Sequence, residues 1–566
     1  MKRVLSILLI ITCIFSKTPD AFAKNGMVVS SNRLASEVGV QILKDGGNAI
    51  DAAIATGFAL AVVHPGAGNI GGGGFMVIKL ANGLVTTIDF REVAPSLAFR
   101  DMFLDENGNI IDGKSWNTSQ ASGVPGSVAG FGMASEKFGI LDWNKLVEPA
   151  TKLAEEGFKL NNDLVQTLNH PQWKTFFSRD SETKKIFFKS DQFQINEKFI
   201  QSDLSKTLNR IALIGWQEFY NGETANLIEK CMNRTGGIIT KSDLKNYKAK
   251  ERNAIEINYR DYLIYSMPPA SSGGIAIAGI LNQLENINFS DISYHSAEHI
   301  HYVSEAERRV YADRAQFLGD TDFISVPIEE LCSKEYADKR WKTINSRKAS
   351  KSSSIKHGEL PIYHEPEETT HYSVLDKWGN AVSVTTTING WFGNGIVVDG
   401  AGFLLNNEMD DFSSKPGTPN TYGLIGNSAN AISPNKRMLS SMSPTIILNP
   451  KSDMLLIVGS PGGSTIITTT VQVIMNVIDF KMNIEDAVES PRFHHQWLPD
   501  KIQFESISSS NNIVSEFSLE TIKKLKKMGH KISFRRSIGE ANCILKEDSI
   551  IMGSADSRRN SSAIGY

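Results

Sequence analysis

The spacing of hydrophobic residues changes along the chain, and each change marks an element. From Ser31 the apolar positions Leu34, Val38, Ile42 and Leu43 recur every three to four residues, predicting a helix that Gly46-Gly47 interrupts. A second helix, Asn48 through Val63, is alanine-rich and nearly apolar all round, as a buried helix is, and His64-Pro65 stops it. Four glycines from Gly71 lead into a strand over Phe75 to Leu80, and another strand reaches Asp89-Phe90-Arg91-Glu92. From Val128 to Ile344 helical stretches alternate with loops. Asn345 to Glu368 is rich in Ser, Lys, Pro and Glu, predicting an exposed or poorly ordered linker. Strands then dominate: Thr369 to Leu375, Ala381 to Ile388, Gly402 to Asn406, Pro444 to Leu448 and Leu455 to Ser460. A helix follows Gly462 and Gly463, running through Ile466 to Phe480. This order predicts layered sheets flanked by helices.

Asp376-Lys377-Trp378-Gly379-Asn380 has turn composition between two alternating runs, which predicts a hairpin. With the loop centred on Trp378, Thr369, His371 and Ser373 oppose Thr387, Thr385 and Ser383, while Thr370, Tyr372 and Val374 oppose Thr386, Val384 and Val382. One face is then polar and the other mostly apolar, and a one-residue slip would destroy the match. Opposed Cβ atoms lie about 5 Å apart, so Thr387 comes within hydrogen-bond reach of Thr369. Asn389 lies two residues further on the same side. Threonine is also a good strand former, so spacing alone leaves a structural reading open.

Thr369 becomes a nucleophile if the chain is cut between Glu368 and Thr369. A hydroxyl attacks a carbonyl well only when a base takes its proton, and the residue's own free α-amine can be that base. Such an amine titrates near pH ~8, against ~10.4 for lysine, whereas a peptide nitrogen has no comparable basicity. With the amine as base, His371 is read as structural.

Bulk properties remove other classes. At 566 residues, 41% of them hydrophobic, the chain can build a large core. Its 59 basic and 62 acidic residues leave a formal charge of -3, without the basic footprint of a nucleic-acid binder. Lys2-Arg3, the apolar run Val4 to Phe15 and Ala21-Phe22-Ala23 follow the plan of a signal peptide, residues 1–23, and the run is shorter than the ~20 residues of a membrane span. An exported, soluble, periplasmic protein is expected. Cys13 offers a lipoprotein alternative, disfavoured because cutting there truncates the apolar run. Cys231, Cys332 and Cys543 are too few and too scattered for a disulfide framework or a paired-cysteine metal site. No metal or cofactor is expected.

Several blocks occur in one order: Asp45-Gly46-Gly47-Asn48-Ala49-Ile50-Asp51-Ala52-Ala53, His64-Pro65, the glycines from Gly71, Asp89-Phe90-Arg91-Glu92, Thr369-Thr370-His371-Tyr372-Ser373, Asn406-Asn407-Glu408-Met409-Asp410-Asp411-Phe412, Ser440-Ser441-Met442-Ser443-Pro444 and Gly459-Ser460-Pro461-Gly462-Gly463. Together they resemble the γ-glutamyltranspeptidases, members of the N-terminal nucleophile hydrolases, across essentially the whole mature chain. The resemblance implies an α+β fold, a four-layer αββα sandwich, and an inactive precursor that cleaves itself before Thr369. A large chain, 24–368, and a small chain, 369–566, would stay together as a heterodimer. The implied donor is a γ-glutamyl compound such as glutathione, and the implied acceptors are water, amino acids or dipeptides.

The same resemblance assigns roles. Arg91 would hold the substrate's α-carboxylate, with Ser440 and Ser441 adding hydroxyls, and Asn389, Glu408 and Asp411 would accept from its α-ammonium. Some family members carry glutamine in place of Glu408, so this difference implies no loss of activity. Thr387 would partner Thr369, and the N–H groups at Gly462 and Gly463, ahead of a helix, would meet the oxyanion. Lys415 to Gly423 resembles a substrate-covering loop with Tyr422 as its gate. Standing alone, Arg91 reads as an ordinary surface or ion-paired arginine, Asn407 to Asp411 as an acidic surface loop or a weak metal site, Gly462-Gly463 as a turn or a phosphate loop, the latter disfavoured because no Gly-Lys-Ser/Thr follows, and His494-His495 as structural. The rival readings are a same-fold acylase for another amide, such as a glutaryl-β-lactam side chain, and an unprocessed exported solute-binding protein.

Overall fold

A computed structural model describes residues 21–357, 369–415, 430–509 and 512–566. Two seven-stranded antiparallel sheets form its centre. One takes its strands in the order Ser562–Gly565, Met27–Ser30, Thr370–Leu375, Ala381–Thr387, Gly73–Lys79, Val85–Asp89 and Lys250–Arg252. The other runs Ala21–Ala23, Ile550–Ala555, Asn542–Glu547, Leu455–Val458, Thr445–Leu448, Tyr262–Ser266 and Ile255–Tyr259. Helices Arg33–Lys44, Ala49–Val63 and Ser127–Phe138 cover the first sheet, while Gly273–Leu284 and Thr465–Ile478, with Ala297–Phe317 beyond them, cover the second. The four layers are the αββα sandwich, and each outer interface is a separate apolar core.

Helix Ala49–Val63 follows from its sequence. Asn48 accepts from the N–H groups of Ile50 and Asp51, Asp51 accepts in return from the N–H of Asn48, and all 15 helical residues are buried. The hairpin has the expected register, with Thr370 opposite Thr386, His371 opposite Thr385, and so on to Leu375 opposite Ala381. Its apolar face, Tyr372, Val374, Val382 and Val384, packs under the helices. Its polar face lies between the two sheets. There the Ser383 hydroxyl accepts from the N–H of Thr445 at 3.1 Å and the Ser373 hydroxyl donates to Asn542 O at 2.8 Å. Further from the Thr369 end, the layer between the sheets becomes apolar, with Leu375, Ala381, Ile446, Ile457 and Ile544.

The glycines from Gly71 act through close approach. A Cβ on Gly71 would lie 2.1 Å from Leu404 O, and one on Gly72 would lie 1.9 Å from Thr387 O. Gly402 to Asn406, expected as a strand, is an irregular segment. Gly402 is left-handed (φ 78), and Asn406 stitches the segment down by accepting from the N–H of Gly123 and donating to Gly71 O, both at 2.8 Å. The expected linker is firmly held as far as it is described. The N–H of Ser350 donates to Glu305 at 3.1 Å, that of Ser352 to Asp500 at 2.9 Å, and Trp497 Nε1 to Ser352 O at 2.9 Å. Its polar composition reflects anchoring by hydrogen bonds rather than apolar contact. Ala21, Phe22 and Ala23 pair with Gly553, Met552 and Ile551, so an edge strand lies just before the expected signal-peptide boundary. No described helix is long and apolar enough to cross a membrane.

Candidate active site

Antiparallel pairing brings the start of Thr370–Leu375, the end of Ala381–Thr387, the start of Gly73–Lys79 and the end of Val85–Asp89 to one end of the first sheet. Thr369 precedes the last pair of the hairpin ladder, which carries it opposite Thr387. It is 6% exposed, and its hydroxyl has no hydrogen-bond partner among the described residues. The expected Thr369 to Thr387 hydroxyl bond is therefore not formed. Thr387 Oγ1 instead accepts from the N–H of Asn389 at 2.7 Å, and its side chain touches Glu408.

Glu408 links Thr387 to Arg91. Its Oε2 lies 2.6 Å from Arg91 Nη1, while Arg91 Nη2 bonds Asp411 and Arg91 Nε donates to Met438 O at 3.2 Å. Arg91 is 1% exposed and Glu408 fully buried, so neither is the surface residue that its local composition suggests. Arg91, Glu408 and Asp411, expected to meet opposite ends of a ligand, here pair with one another. An isolated buried charge would carry a large desolvation penalty, and mutual pairing removes most of it. Burial still pushes the Glu408 carboxyl up, while Arg91 pulls it down. Glu92, also fully buried, is pushed well above the carboxylate range by burial and by the charge of Glu408. Asn389 sits in the left-handed region (φ 62), donates Nδ2 to Asn407 O at 3.0 Å, and leaves Oδ1 buried without a partner among the described residues. An unpaired buried acceptor is destabilising until a donor reaches it.

Residues that the sequence reading left without a role hold this group in place. Asp89 accepts from the N–H of Arg91 at 3.0 Å and from Arg252 Nε at 2.8 Å, and pairs with Arg437 at 3.2 Å, so it fixes both the turn at Arg91 and the segment leading to Ser440. Ser440 donates its N–H to Ala270 O at 2.8 Å, and its carbonyl accepts from the N–H of Ser272 at 2.6 Å. Arg314 donates to the hydroxyls of Ser441 at 2.6 Å and Ser272 at 2.9 Å. The Ser440 hydroxyl accepts from the N–H of Met442 at 3.2 Å. Both serine oxygens thus act as acceptors toward groups that hold them in place. Asp89 stood inside a block already singled out, whereas Arg314, in the last turn of helix Ala297–Phe317, gave no local signal.

Gly462 (φ 126) and Gly463 (φ 68) form the turn ahead of helix Thr465–Ile478, and neither amide donates to an acceptor among the described residues. The turn begins against the hairpin, because a Cβ on Gly459 would lie 2.3 Å from the His371 ring. His371 places Nδ1 2.9 Å from the Thr385 hydroxyl and Nε2 3.1 Å from that of Ser373, and burial lowers its pKa to about 3. A neutral ring with both nitrogens engaged is a structural member of the polar layer. His494 is likewise engaged, by Thr468 at 2.9 Å and Gln496 at 2.8 Å. Among the described residues, His301, Glu305 and His530 come close enough to hold a metal. Arg308 and Arg309 already bond Glu305, at 3.1 and 2.7 Å, and the two rings bond each other at 2.8 Å. Glu368 and Tyr422 lie outside the described residues.

The family model described as Gamma-glutamyltranspeptidase matches residues 35–566. The chain is 49% identical to the glutathione hydrolase proenzyme of Escherichia coli over 542 residues, 95% of this chain and 91% of that protein. Identity to the glutathione hydrolase proenzyme of Pseudomonas aeruginosa is 42% over 533 residues, 94% and 92% of the two chains. Among solved structures, a cephalosporin acylase from Bacillus halodurans aligns over 99% of both chains with a TM-score of 0.82 at 25% identity. A chain of the Helicobacter pylori gamma-glutamyltranspeptidase aligns with a TM-score of 0.58 at 46% identity, covering 61% of this chain and 98% of its own length. With the match running from residue 35 to the last residue, and relatives of this identity along nearly their whole length, the chain belongs to the gamma-glutamyltranspeptidase family.

Proposed function

We propose that this protein is a proenzyme that cuts itself between Glu368 and Thr369, giving chains 24–368 and 369–566, and then hydrolyses or transfers the γ-glutamyl group of glutathione and related amides. The observation that carries the reading is the unbroken run of contacts from Thr387, the cross-strand neighbour of Thr369, through Glu408 to Arg91. The new α-amine takes the proton of Thr369 Oγ as it attacks the γ-carbonyl. N–H groups at Gly462 and Gly463 meet the tetrahedral oxyanion. Collapse expels the amine half, which takes the proton back, and leaves an ester on Thr369. Water, an amino acid or a dipeptide then attacks that ester, giving up a proton to the same amine, and the acyl C–Oγ bond breaks as the Thr369 oxygen takes that proton back.

The donor's α-carboxylate and α-ammonium would exchange into the Arg91 pairs. A zwitterion leaves the buried net charge unchanged, whereas a glutaryl group, as a same-fold acylase would take, adds a negative charge beside Glu408 and Asp411. That favours the glutamyl reading despite the overall likeness to the cephalosporin acylase. The relatives' name, glutathione hydrolase proenzyme, supports it further. Thr369→Ala tests it: one full-length band on a denaturing gel and no amine released from a γ-glutamyl anilide are expected. A variant that still cleaves and turns over would sink the assignment.

Residues 1–23 are read as a signal peptide for export to a periplasm. Among the described residues, cleavage after Ala23 would remove a three-residue edge strand, and Phe22 in it is 69% exposed. N-terminal sequencing of the exported protein checks this, and a start upstream of Lys24 would refute the boundary.

A further inference from the structure

Two segments of the proposed donor site leave the second sheet side by side. Ser440 and Ser441 precede strand Thr445–Leu448, Gly462 and Gly463 follow strand Leu455–Val458, and Thr445 is paired with Val458. The ladder between these strands ends at that pair, so other contacts set the spacing of the two segments. Helix Ala297–Phe317 touches both. Arg314 Nη2 donates to the Ser441 hydroxyl at 2.6 Å and Arg314 Nε to that of Ser272 at 2.9 Å, and Ser272 passes the contact on by donating its hydroxyl to Ser440 O at 2.8 Å. One turn earlier in the helix, the Tyr311 hydroxyl donates to Ser464 O, the carbonyl of the residue after Gly463. Tyr311 and Arg314 are both buried, and the guanidinium lies 5.9 Å from the centroid of the Tyr311 ring. Residues three apart share a helix face, separated by about 4.5 Å along the axis.

We propose that Tyr311 and Arg314 are a pair of positioning residues that hold the serines expected at the donor's α-carboxylate at a set distance from the glycine turn expected at its oxyanion, and so select an acyl chain of γ-glutamyl length. The inference rests on the γ-glutamyl reading above and deepens it. In that reading the α-carboxylate and the reacting carbonyl are the two fixed points of the donor, joined through Cα and two methylenes. A β-aspartyl donor carries the same head with one methylene fewer, and a δ-(α-aminoadipyl) donor carries it with one more. A site whose two ends are rigidly spaced seats both points of only one of the three, and a misplacement of about 1 Å at the reacting centre costs on the order of 100-fold. The two side chains suit that task. A planar guanidinium bonded to two hydroxyls has one orientation, and a phenol bonded to a main-chain carbonyl fixes the turn itself. Both belong to the proposed chain 24–368, whereas Ser440, Ser441, Gly462 and Gly463 belong to 369–566. The large chain thus supplies the spacing between groups of the small one.

The test compares wild type with Arg314→Lys and Tyr311→Phe on the p-nitroanilides of the three acyl groups. Wild type should prefer the γ-glutamyl anilide by about 10-fold or more. Lysine keeps the buried charge but replaces a fork spanning two hydroxyls by a single point, so kcat/KM for the γ-glutamyl anilide should fall about 10-fold, mainly through KM. Phenylalanine releases the turn, and a fall of about the same size should come through kcat. In both variants the other two donors should change by less than about 3-fold, so the preference shrinks. A loss shared equally by the three donors in either variant is what a merely structural role gives, and it overturns the proposal, as does a wild type without the preference. Tyr311→Phe, which removes one hydroxyl, carries the test if the lysine variant fails to process. Failure of both to process also overturns it, because the proposed role acts on a bound donor. A wild type that processes but releases no nitroaniline from the γ-glutamyl anilide overturns the γ-glutamyl reading itself, so the two failures are told apart.

Discussion

Arg91 shows how a single buried charge is made tolerable and then usable. Its guanidinium meets Glu408 and Asp411, its backbone N–H is fixed by Asp89, and burial with the charge of Glu408 pushes the neighbouring Glu92 carboxyl up. A zwitterionic head entering here trades these ion pairs for new ones of the same sign pattern, which requires the geometry of the fork as well as its charge. Arg91→Lys keeps the charge and loses the fork, so kcat/KM for a γ-glutamyl anilide should drop about 100-fold, mainly through KM. Glu408→Gln keeps an acceptor in place and should stay within about 5-fold of wild type, since a neutral amide still satisfies a donor. Steady-state kinetics on the processed forms decide both, and a lysine variant with unchanged KM would remove Arg91 from the binding role. At this scale the sequence identifies Arg91, Glu408 and Asp411 through their blocks. That they pair with one another is not legible there, because partners some 320 positions apart leave no local trace.

Among the elements, the hairpin was the most legible and also shows where legibility ends. Strict alternation on both sides of a turn-rich loop fixes the register, and the structure has that register at every pair. What alternation cannot tell is what each face meets. The polar face is covered by a second sheet whose strands come from residues 445–458 and 542–547, and its hydroxyls are used in bonds between the sheets. The strands flanking the hairpin escape for a different reason. Met27–Ser30 and Ser562–Gly565 are four residues each and pair across more than 500 positions. Ile255–Tyr259 does alternate buried and exposed residues, but within a stretch that reads as helix and loop.

The glycine run makes the element-scale prediction. A Cβ at Gly72 meets the Thr387 carbonyl at 1.9 Å, and backbone cannot swing aside as a side chain can. Gly72→Ala should push the two strands apart, lower stability by about 3 kcal/mol and displace Thr387, so that processing fails even where the chain folds. Gly83→Ala is the contrast. It has φ 92 but nothing within 4 Å, so a cost of about 1 kcal/mol with normal processing is expected. Thermal midpoints and denaturing gels on both variants would expose the idea as wrong if Gly72→Ala processes like wild type.

Across the whole molecule, the layers bury imidazoles that stay neutral. Burial lowers His64 and His495 to about 4, and His295, His371, His494 and His530 to about 3. As pH falls below the unfolded value near 6.5, the unfolded chain takes up protons that the folded chain refuses until pH 3 to 4. The folded state therefore loses stability throughout that window, by up to about 1.4 kcal/mol per pH unit for each ring. Glu305, held at about 2 by Arg308 and Arg309, joins only below its own unfolded value near 4.5, once its ion pairs are protonated away. The thermal midpoint of the Thr369→Ala chain, which remains one polypeptide, should thus be nearly flat above pH 7 and fall steeply from pH 6.5 to 4.5. His371 lies between the sheets, with each ring nitrogen facing a strand hydroxyl. His371→Gln in that background should lower the midpoint at pH 7.5, by weakening two hydrogen bonds, yet make the acid slope shallower by one proton. Parallel pH profiles for the two chains would mean that His371 is already charged in the folded state.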